Sequence, residues 1–459
     1  MNSAGRAKEN APGFSKAKKS RLTPKKRTIT QYVAGVDRPF LVTVILLLCI
    51  GTVMVFSSSY PYAREYYGDS YKFARQQIMW AGLGLVGMTL VAKLKIFSYH
   101  NIRKFAKPLL AVGILMLCAV LVVGSGAKGA VRWLQIGPIS FQPSEIMKFA
   151  IVLFFADYAD KYADKIRARE NYHGVFMRFL GALALAGLGA VAFLVVDSKP
   201  LALIIALILL GVAVAVAYPI DIKHNLPGFY YGIIPYVLVL GVVGALMYLQ
   251  PHISGLIIMA GIVFAMMFIG GTPMYYIIIG GLAGAGLVLG LAKSLGHSSS
   301  RMEVWKDPFS YLQEGGWQPV QSLYAIGSGG FWGVGFGNSR QKHLYLPEPQ
   351  NDYIFSIFCE EMGFIGAFIV ICIFAFFIYR GIVIGLKAPD RFSSMLVLGI
   401  VMHVGIQVIL NIAVVTNTLP STGISLPFFS YGGTSLLILL AEMGVVLSVS
   451  RYSSVEKTS

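Results

Sequence analysis

The stretch FLVTVILLLCIGTVMVF at residues 40–56 decides the fold class of this chain. It carries no charge, and a helix of about 20 apolar residues spans the hydrocarbon core of a bilayer. Similar apolar windows recur along the chain, at 78–91, 109–123, 146–156, 179–196, 201–218, 233–249, 256–269, 277–291, 364–379, 394–415 and 435–449. Because only helices and closed barrels satisfy their backbone groups in lipid, the pattern predicts an all-α polytopic membrane protein with ten to twelve transmembrane helices. Twelve helices are predicted if the tight hairpin at 179–218 crosses the membrane, and ten if it does not.

The composition argues against two broad classes of protein. Of the 459 residues, 56% are hydrophobic and 13% are charged, whereas a soluble domain carries roughly a quarter charged residues, so a cytosolic enzyme is disfavoured. The net charge of +17 does not indicate a nucleic-acid partner, because this apolar body provides little folded polar surface. The four cysteines lie in or beside apolar windows without metal-ligand spacing, which predicts neither a zinc site nor a disulfide framework; they are Cys49, Cys118, Cys359 and Cys372.

Charge divides the chain into a tail and a membrane domain. Residues 1–38 hold ten Lys or Arg against two acidic residues, without an apolar period, and are predicted to form a disordered basic tail. Residues 39–451 are predicted to form the transmembrane domain, and 452–459 a short C-terminal tail. Most of the other Lys and Arg fall in loops on the side of the tail, so the positive-inside rule places both termini in the cytoplasm. The loop 293–353 then faces outward.

The outward loop 293–353 combines glycines, aromatic residues and both signs of charge. A loop of this length without obvious secondary structure is usually functional. Glycines let backbone amides approach a ligand, Arg or Lys beside them can hold phosphate, and a shielded carboxylate can act as a general base. Each carboxylate alone also suits a salt bridge or a helix cap, and Asp307 before Pro308 suits the start of a turn. The charged candidates in and just after this loop are Arg301, Asp307, Glu314, Arg340, Lys342, Glu348, Asp352, Glu360 and Glu361.

A second outward segment contributes Arg132 and Trp133 and then begins a helix. Ser144 is predicted to cap that helix, and Glu145 suits its first turn, where negative charge meets the helix dipole. Lys148 lies one turn further on in a membrane helix, where an ionisable side chain needs a partner or a polar cavity. Glu145 is the nearest such partner in the sequence.

A third outward segment, 416–433, carries no charge and is rich in Pro, Gly and Ser. Such irregular backbone at the membrane face requires cover by protein or a cavity. The apolar helices on either side of it contain four polar side chains, His403, Gln407, Asn411 and Glu442. Hydrogen bonding between helices explains them, and a substrate path is the alternative.

Together these motifs resemble the SEDS family of bacterial cell-wall glycosyltransferases, which comprises FtsW, RodA and SpoVE. The resemblance spans nearly the whole chain after the tail and implies a SEDS-type helix bundle. The segment 345–353 is closer to the FtsW and SpoVE branch than to RodA, and FtsW is the preferred branch. The most specific stretches are Arg132-Trp133, Gln142-Pro143-Ser144-Glu145 with Lys148, the run from Gln318 to Glu348, Asp352 with Glu360-Glu361, and Leu419-Pro420 through Gly432-Gly433.

The resemblance implies polymerisation of lipid II, a disaccharide-pentapeptide on a polyprenyl pyrophosphate, at the outer face of the plasma membrane for septal synthesis. A loop carboxylate would deprotonate the acceptor hydroxyl, while cations or a divalent metal, Mg or Mn, steady the leaving pyrophosphate. Asp307 is the first candidate for that carboxylate and Glu314 the second. The residues implied in substrate binding are Arg132, Trp133, Glu145, Lys148, Arg301, Gln318, Arg340, Lys342, Glu348 and Asp352. The implied partners are lipid II, a class B penicillin-binding protein, divisome proteins and membrane lipids.

Two positions depart from the family pattern. Members commonly carry two Asp-Pro steps before a Gly-aromatic-Gln element, and catalysis is assigned to the second. Here only Asp307-Pro308 is present, and Tyr311 stands where the second Asp would fall. An element usually written Pro-Asp-Leu-Gly has His252 in place of the acid. The hairpin at 179–218 resembles an insertion, because the family is usually drawn with ten helices.

Other functions fit parts of the same pattern. Polar residues within helices also occur in lipid carriers, which predicts a lipid II flippase. The basic tail suits a scaffold that recruits division proteins without catalysis. A role in sporulation or elongation would use the same chemistry as a role in division.

Overall fold

The computed structural model describes residues 35–97, 99–124, 132–137, 139–168, 170, 226–282, 284 and 296–452. One short antiparallel hairpin pairs β1 (Leu134–Ile136) with β2 (Ile139–Phe141), with Leu134 opposite Phe141. A 3₁₀ turn covers Lys95–Phe97 and a π-helical turn covers Leu312–Gly316. The α-helices are α1 (Arg38–Tyr67), α2 (Lys72–Lys93), α3 (Tyr99–Arg103), α4 (Ala106–Val123), α5 (Pro143–Lys161), α6 (Ala163–Ile166), α7 (Pro227–Gly232), α8 (Ile234–Leu249), α9 (Ile253–Gly270), α10 (Gly296–Lys306), α11 (Trp317–Gly329), α12 (Ile354–Leu386), α13 (Arg391–Val415) and α14 (Gly433–Ser450).

Seven helical segments of the described chain are long and apolar enough to cross a membrane: α1, α4, the α7–α8 segment, α9, α12, α13 and α14. They confirm the prediction of a polytopic all-α membrane protein. Two further predicted windows correspond to α2 and α5, which pack within the bundle against α14 and α4 respectively. The hairpin at 179–218 and residues 285–295 lie outside the described residues, so ten to twelve helices remains a prediction.

The helices begin and end where their polar termini find partners. Asp37 accepts a hydrogen bond from the backbone N of Phe40 at 2.9 Å and so caps α1. It also pairs with Arg380 near the end of α12. A capping box of Asp390 and Ser393 begins α13. These caps satisfy backbone donors that the membrane helices would otherwise leave open.

The start of α5 differs from the sequence prediction. The N-cap residue is Gln142 and Pro143 follows at the first helical position, where its missing N–H costs nothing. Ser144 therefore lies inside the first turn, 5% exposed, and its Oγ has no hydrogen-bond partner among the described residues. The prediction that Ser144 caps this helix was wrong because the proline sets the boundary before it.

The segment 296–353 contains more regular structure than its sequence indicated. Helices α10 and α11 and the π-helical turn occupy much of 296–329, so the expectation of a loop without secondary structure was wrong there. Glycines at Gly327 and Gly329 lower local helix propensity. Packing against α12 overrides it, because Val320 and Ala325 on α11 are fully buried.

A kink in α12 brings the segment 296–353 onto the bundle. Gly363 has φ 65° and ψ −169°, a conformation essentially restricted to glycine. A Cβ at Gly333 would lie 2.1 Å from the carbonyl oxygen of Glu361, and one at Gly363 would lie 2.3 Å from the backbone N of Gly333. The two backbones therefore touch, and both positions require glycine.

Candidate functional site

A cavity of about 560 Å³ lies where the β1–β2 hairpin, the segment 348–352 and the segment 423–435 meet the beginnings of α5, α9 and α14. We call it the main cavity. Its lining combines aromatic rings, amides, hydroxyls and charges of both signs. The polar and aromatic residues around it are Gln76, Trp80, Arg132, Trp133, Ser140, Gln142, Ser144, Glu145, Lys148, His252, Glu348, Asn351, Asp352, Gln407, Ser425, Tyr431, Thr434 and Ser435.

Lys148 supplies a buried cation to the main cavity. Its side chain is 4% exposed, and Nζ lies 2.8 Å from Oε2 of Glu145 on the preceding turn of α5. Nζ also donates to Oε1 of Gln407 on α13 at 3.0 Å. The predicted need for a partner is confirmed, and the interhelical contact accounts for Gln407 as well. Lys148 keeps one donor that no residue in the described chain takes up.

Arg132 supplies a second cation from the segment before β1. Burial and the nearby charge of Arg301 lower the pKa of its guanidinium, while Asp352 opposes that shift. Arg132 donates to the carbonyl oxygen of Pro251, which places it over the start of α9. Arg301 itself is exposed and does not line the main cavity, but its positive charge lowers the pKa of Arg132.

Asp352 is a partly buried carboxylate that lines the main cavity and has a raised pKa. Burial, and then the charge of Glu348, raise the pKa of Asp352 to about 6, and Arg132 only partly offsets the rise. Asn411 on α13 fixes this segment, because its Nδ2 donates to the carbonyl oxygens of Asp352 and Ile424, both at 2.7 Å. A carboxylate that titrates near neutral pH in a polar cavity is suited to general-base chemistry.

Glu348 stands beside Asp352 in a strained turn. Its backbone has φ 45°, and its Oε2 accepts a hydrogen bond from Asn351 at 2.8 Å. In the described part of the chain, no three His, Cys, Asp or Glu side chains gather as a metal site. Glu348 and Asp352 are the two acidic groups that could share a divalent ion here, with substrate phosphates completing its oxygen ligands.

His252 occupies the position where the resembling family has an acid. Burial, Arg132 and Lys148 lower the pKa of its imidazole to about 3, so the ring is neutral at physiological pH. Its Nε2 lies 3.4 Å from Nε2 of Gln142 and its Nδ1 has no hydrogen-bond partner among the described residues. Because Gln142 Nε2 can only donate, the neutral ring carries its hydrogen on Nδ1, which can donate one hydrogen bond to a ligand but cannot replace a negative charge.

Of the two predicted catalytic carboxylates, the structure describes the side chain of Asp307, and it does not line the main cavity. Asp307 is exposed and accepts hydrogen bonds from Ser310, with Oγ at 2.6 Å and N at 3.3 Å. These bonds lower its pKa below the ordinary value and confirm that it starts a turn. Glu314 belongs to the π-helical turn, and its side chain lies outside the described residues.

Three other predicted residues hold the segment 296–353 in place. Lys342 is fully buried, and its Nζ lies 2.8 Å from Oε1 of Glu361. Glu360 accepts from the backbone N of Arg340 at 2.9 Å. We call Ser339–Lys342 with Glu360 and Glu361 the loop anchor. Neither Lys342 nor Arg340 lines the main cavity, and Gln318 instead donates to the carbonyl oxygen of Pro347 at 3.4 Å.

Sequence reasoning missed several lining residues. Trp80 and Gln76 lie on α2, and Tyr431 donates to Gln76 across the cavity rim. A polar pair, Gln76 and Gln77, directly before the apolar window 78–91 was the available signal. Trp80 gave no signal. A Cβ at Gly433 would lie 2.2 Å from Nε1 of Trp80, so its place depends on a contact between α2 and α14.

A comparison with known proteins matches this chain to one family. The family model described as "Cell cycle protein", FtsW/RodA/SpoVE, matches residues 38–225 and 203–455. "Stage V sporulation protein E" of Bacillus subtilis (strain 168) is 34% identical over 423 residues, which cover 91% of this chain and 97% of that protein. "Probable peptidoglycan glycosyltransferase FtsW" of Geobacter sp. (strain M18) is 32% identical over 91% of this chain and 97% of that protein.

Solved structures show the same fold at lower identity. A chain of a peptidoglycan synthase complex that coordinates polymerization and crosslinking superposes with a TM-score of 0.63 at 24% identity, covering 91% of this chain and 98% of that one. The rod shape determining protein RodA of Thermus thermophilus gives a TM-score of 0.58 at 22% identity, covering 92% and 98%.

Proposed function

The chain belongs to the FtsW/RodA/SpoVE family of cell cycle proteins, and from this premise we propose that it is a peptidoglycan glycosyltransferase that polymerises lipid II at the outer face of the plasma membrane. One observation carries the proposal. Two cations, Arg132 and Lys148, and a carboxylate with a raised pKa, Asp352, meet in the main cavity. This set matches a substrate with a pyrophosphate to hold and a hydroxyl to deprotonate.

The proposed reaction uses each group once. Asp352 takes the proton of the acceptor sugar hydroxyl, whose oxygen forms a bond to the anomeric carbon of the donor. The bond from that carbon to the pyrophosphate oxygen breaks, and the leaving group carries the electron pair. Arg132 and Lys148 stabilise the negative charge that develops on the pyrophosphate. A divalent ion held by Glu348 and the substrate phosphates would supply further charge stabilisation when bound, which leaves Asp352 free to act as the base.

The proposed base, Asp352, is neither of the two carboxylates that the sequence favoured, Asp307 first and Glu314 second. Asp307 is exposed, and its hydrogen bonds from Ser310 hold it ionised and committed to a turn. Asp352 lies in the main cavity with the two cations. Asp307 remains the alternative base. In that case Arg301, whose charge already acts on Arg132, would be the cation that serves with it.

Orientation and partner complete the proposal. The positive-inside distribution supports cytoplasmic termini and an outward main cavity. A solved relative belongs to a complex of polymerization and crosslinking, which supports a class B penicillin-binding protein as partner. We propose septal synthesis in cell division as the role, and the sporulation protein among the relatives makes sporulation the alternative.

The test is polymerisation of purified lipid II by the full chain with its cognate penicillin-binding protein. Asp352→Asn should lower the polymerisation rate by about 10²- to 10⁴-fold, the usual contribution of a general base. Asp307→Asn is the matched control and should retain activity. The reverse pattern would assign the base to Asp307. Movement of labelled lipid II across vesicles without polymer would replace this function by a flippase.

A further inference from the structure

A groove of about 650 Å³ lies between the beginning of α1 and the middle of α12, and it shares no lining residue with the main cavity. We call it the α1–α12 groove. Apart from Arg38, its lining consists of apolar side chains and of Thr43 and Cys372. Thr43 Oγ1 donates to the carbonyl oxygen of Pro39 at 2.7 Å, so this hydroxyl already has a partner. The volume falls in the range of about 300–1,000 Å³ that is usual for small-molecule sites.

The α1–α12 groove has the depth of one membrane leaflet. Both helices are long and apolar enough to span the membrane. Asp37, the N-cap of α1, pairs with Arg380, so α1 begins beside the end of α12. The lining on α1 extends from Arg38 to Leu46, a rise of about 12 Å at about 1.5 Å per residue. Half of the hydrocarbon core measures about 15 Å. The groove therefore fits a chain that belongs to one leaflet.

Arg38 places a positive charge at the end of the groove where α1 begins. Its side chain is exposed and makes no hydrogen bond or ion pair with any residue that the structure describes. The adjacent acid, Asp37, is already engaged, because its Oδ2 contacts Arg380 at 2.5 Å and its Oδ1 caps α1. The N-terminus of α1 adds the positive end of a helix dipole. This end of the groove is therefore complementary to an anion.

We propose that the α1–α12 groove binds one anionic phospholipid of the leaflet in which α1 begins. The guanidinium of Arg38 holds the phosphate, a geometry that suits arginine. One acyl chain lies between the two helices, along Val42 of α1 and Phe376 of α12. This site is separate from the main cavity and does not depend on the proposed function.

Charge and depth together select this occupant. A transmembrane helix of a partner needs a contact face that follows the whole hydrocarbon core, about 30 Å, whereas the lining of the groove ends on α1 at Leu46. A lipid without net charge would leave the charge of Arg38 uncompensated. An anionic phospholipid satisfies both conditions, because its phosphate meets Arg38 and its chain has the length of one leaflet.

The experiment measures lipid selectivity with a fluorescent reporter in the groove. Phe376→Trp places an indole there and keeps an aromatic side chain at an exposed position. The full chain is reconstituted in phosphatidylcholine nanodiscs that contain increasing fractions of brominated phosphatidylglycerol, or of brominated phosphatidylcholine for comparison. Bromine quenches the indole on contact, and the signal of the chain without the reporter is subtracted. Phosphatidylglycerol should bind about fivefold more tightly, which corresponds to about 1 kcal/mol for one cation at the membrane surface.

Arg38→Gln tests the phosphate contact and should remove this preference. The matched control is Arg64→Gln, which removes the same charge from an exposed position in the last turn of α1, at the opposite end of the helix. It should keep the fivefold preference. Both variants retain residues 1–34, so attraction of anionic lipid by the basic tail is the same in each. Equal affinity for the two lipids in the reporter chain, or a preference that survives in Arg38→Gln, would overturn the proposal.

Val42→Phe tests whether the chain lies in the groove. Val42 is 61% exposed, so the larger side chain adds volume to the groove and not to the packed core. Quenching of the reporter by both brominated lipids should fall. Val53→Phe is the matched control, because Val53 is 50% exposed on the same helix and does not line the groove. Equal quenching in Val42→Phe and Val53→Phe would contradict the placement of the chain.

Two further measurements separate a lipid from a partner and remove the need for the reporter. An excess of the penicillin-binding protein should leave the quenching by phosphatidylglycerol unchanged, and loss of quenching would assign the groove to a partner helix instead. A lipid that binds only the folded chain raises its thermal transition. Phosphatidylglycerol should therefore raise the Tm of wild type more than that of Arg38→Gln, and an equal rise in both would overturn the site.

Discussion

Two lysines are buried in the part of the chain that the structure describes, Lys148 and Lys342, and they differ in what surrounds them. Lys342 has no exposed surface, and its ammonium contacts Glu361 Oε1 at 2.8 Å, the carbonyl oxygen of Gly337 at 2.6 Å and Ser57 Oγ at 3.3 Å. Lys148 contacts two acceptors, Glu145 and Gln407, and lines a cavity of about 560 Å³. A buried charge with every donor used stabilises the fold, and one with a donor left over can bind a ligand.

The largest expected effect separates the two lysines by stability. Lys342→Met leaves Glu361 buried without its partner, and breaking a buried ion pair in this way costs about 3–5 kcal/mol of unfolding free energy. Lys148→Met should cost much less stability, because Glu145 reaches the cavity and can be hydrated there. Chemical unfolding of the purified variants in detergent measures both values.

Polymerisation should show the opposite order for the same two variants. Lys148→Met should lose lipid II polymerisation while it remains folded. Any folded fraction of Lys342→Met should polymerise normally. If the two variants lost stability equally, the distinction between a lysine with every donor used and a lysine with a donor left over would not hold.

A smaller effect tests the backbone contact that supports the loop anchor. Gly333→Ala should destabilise the protein by about 1–3 kcal/mol or more, because φ is +80° there and the new Cβ would meet the carbonyl oxygen of Glu361. Gly327→Ala is the control within α11, since its Cβ meets nothing within 4 Å and alanine favours a helix by up to about 1 kcal/mol. Thermal unfolding of both variants should therefore shift in opposite directions.

The smallest expected effect concerns the pH dependence of the main cavity. Because burial raises the pKa of Asp352 to about 6, the base form is lost as pH falls, and polymerisation at pH 5 should be about tenfold below its plateau. If Asp307 were the base, the pH–rate profile would show no falling limb near pH 6, because the pKa of Asp307 lies below the ordinary value. A pH–rate profile without a limb near 6 would therefore favour Asp307 over Asp352.

The sequence predicted the membrane class of the fold from apolar windows alone, since a bilayer imposes both the helix and its length. It predicted a partner for Lys148 for a similar reason: an ionisable group in lipid cannot remain alone. It did not predict which charges are structural. Lys342 and Arg340 lie in the same segment, 293–353, as Asp352, and nothing in their spacing separates the loop anchor from the main cavity.

Three other features of the structure were not predicted, because they depend on backbone geometry and on packing between helices. The start of α5 depends on Pro143, and the helical content of 296–329 depends on packing against α12, which outweighs local propensity. Trp80 enters the cavity through a contact of α2 with α14, two helices far apart in sequence.

By itself, then, the sequence determined that this chain is a helical membrane bundle with the motifs of its family, because hydrophobic length and motif spacing are local properties. Only the tertiary structure decided that Asp352, Arg132 and Lys148 share one cavity and that Lys342 is fully paired. Those outcomes depend on the distances between side chains from different helices, and the number of partners available at each distance determines whether a buried charge is structural or free to act.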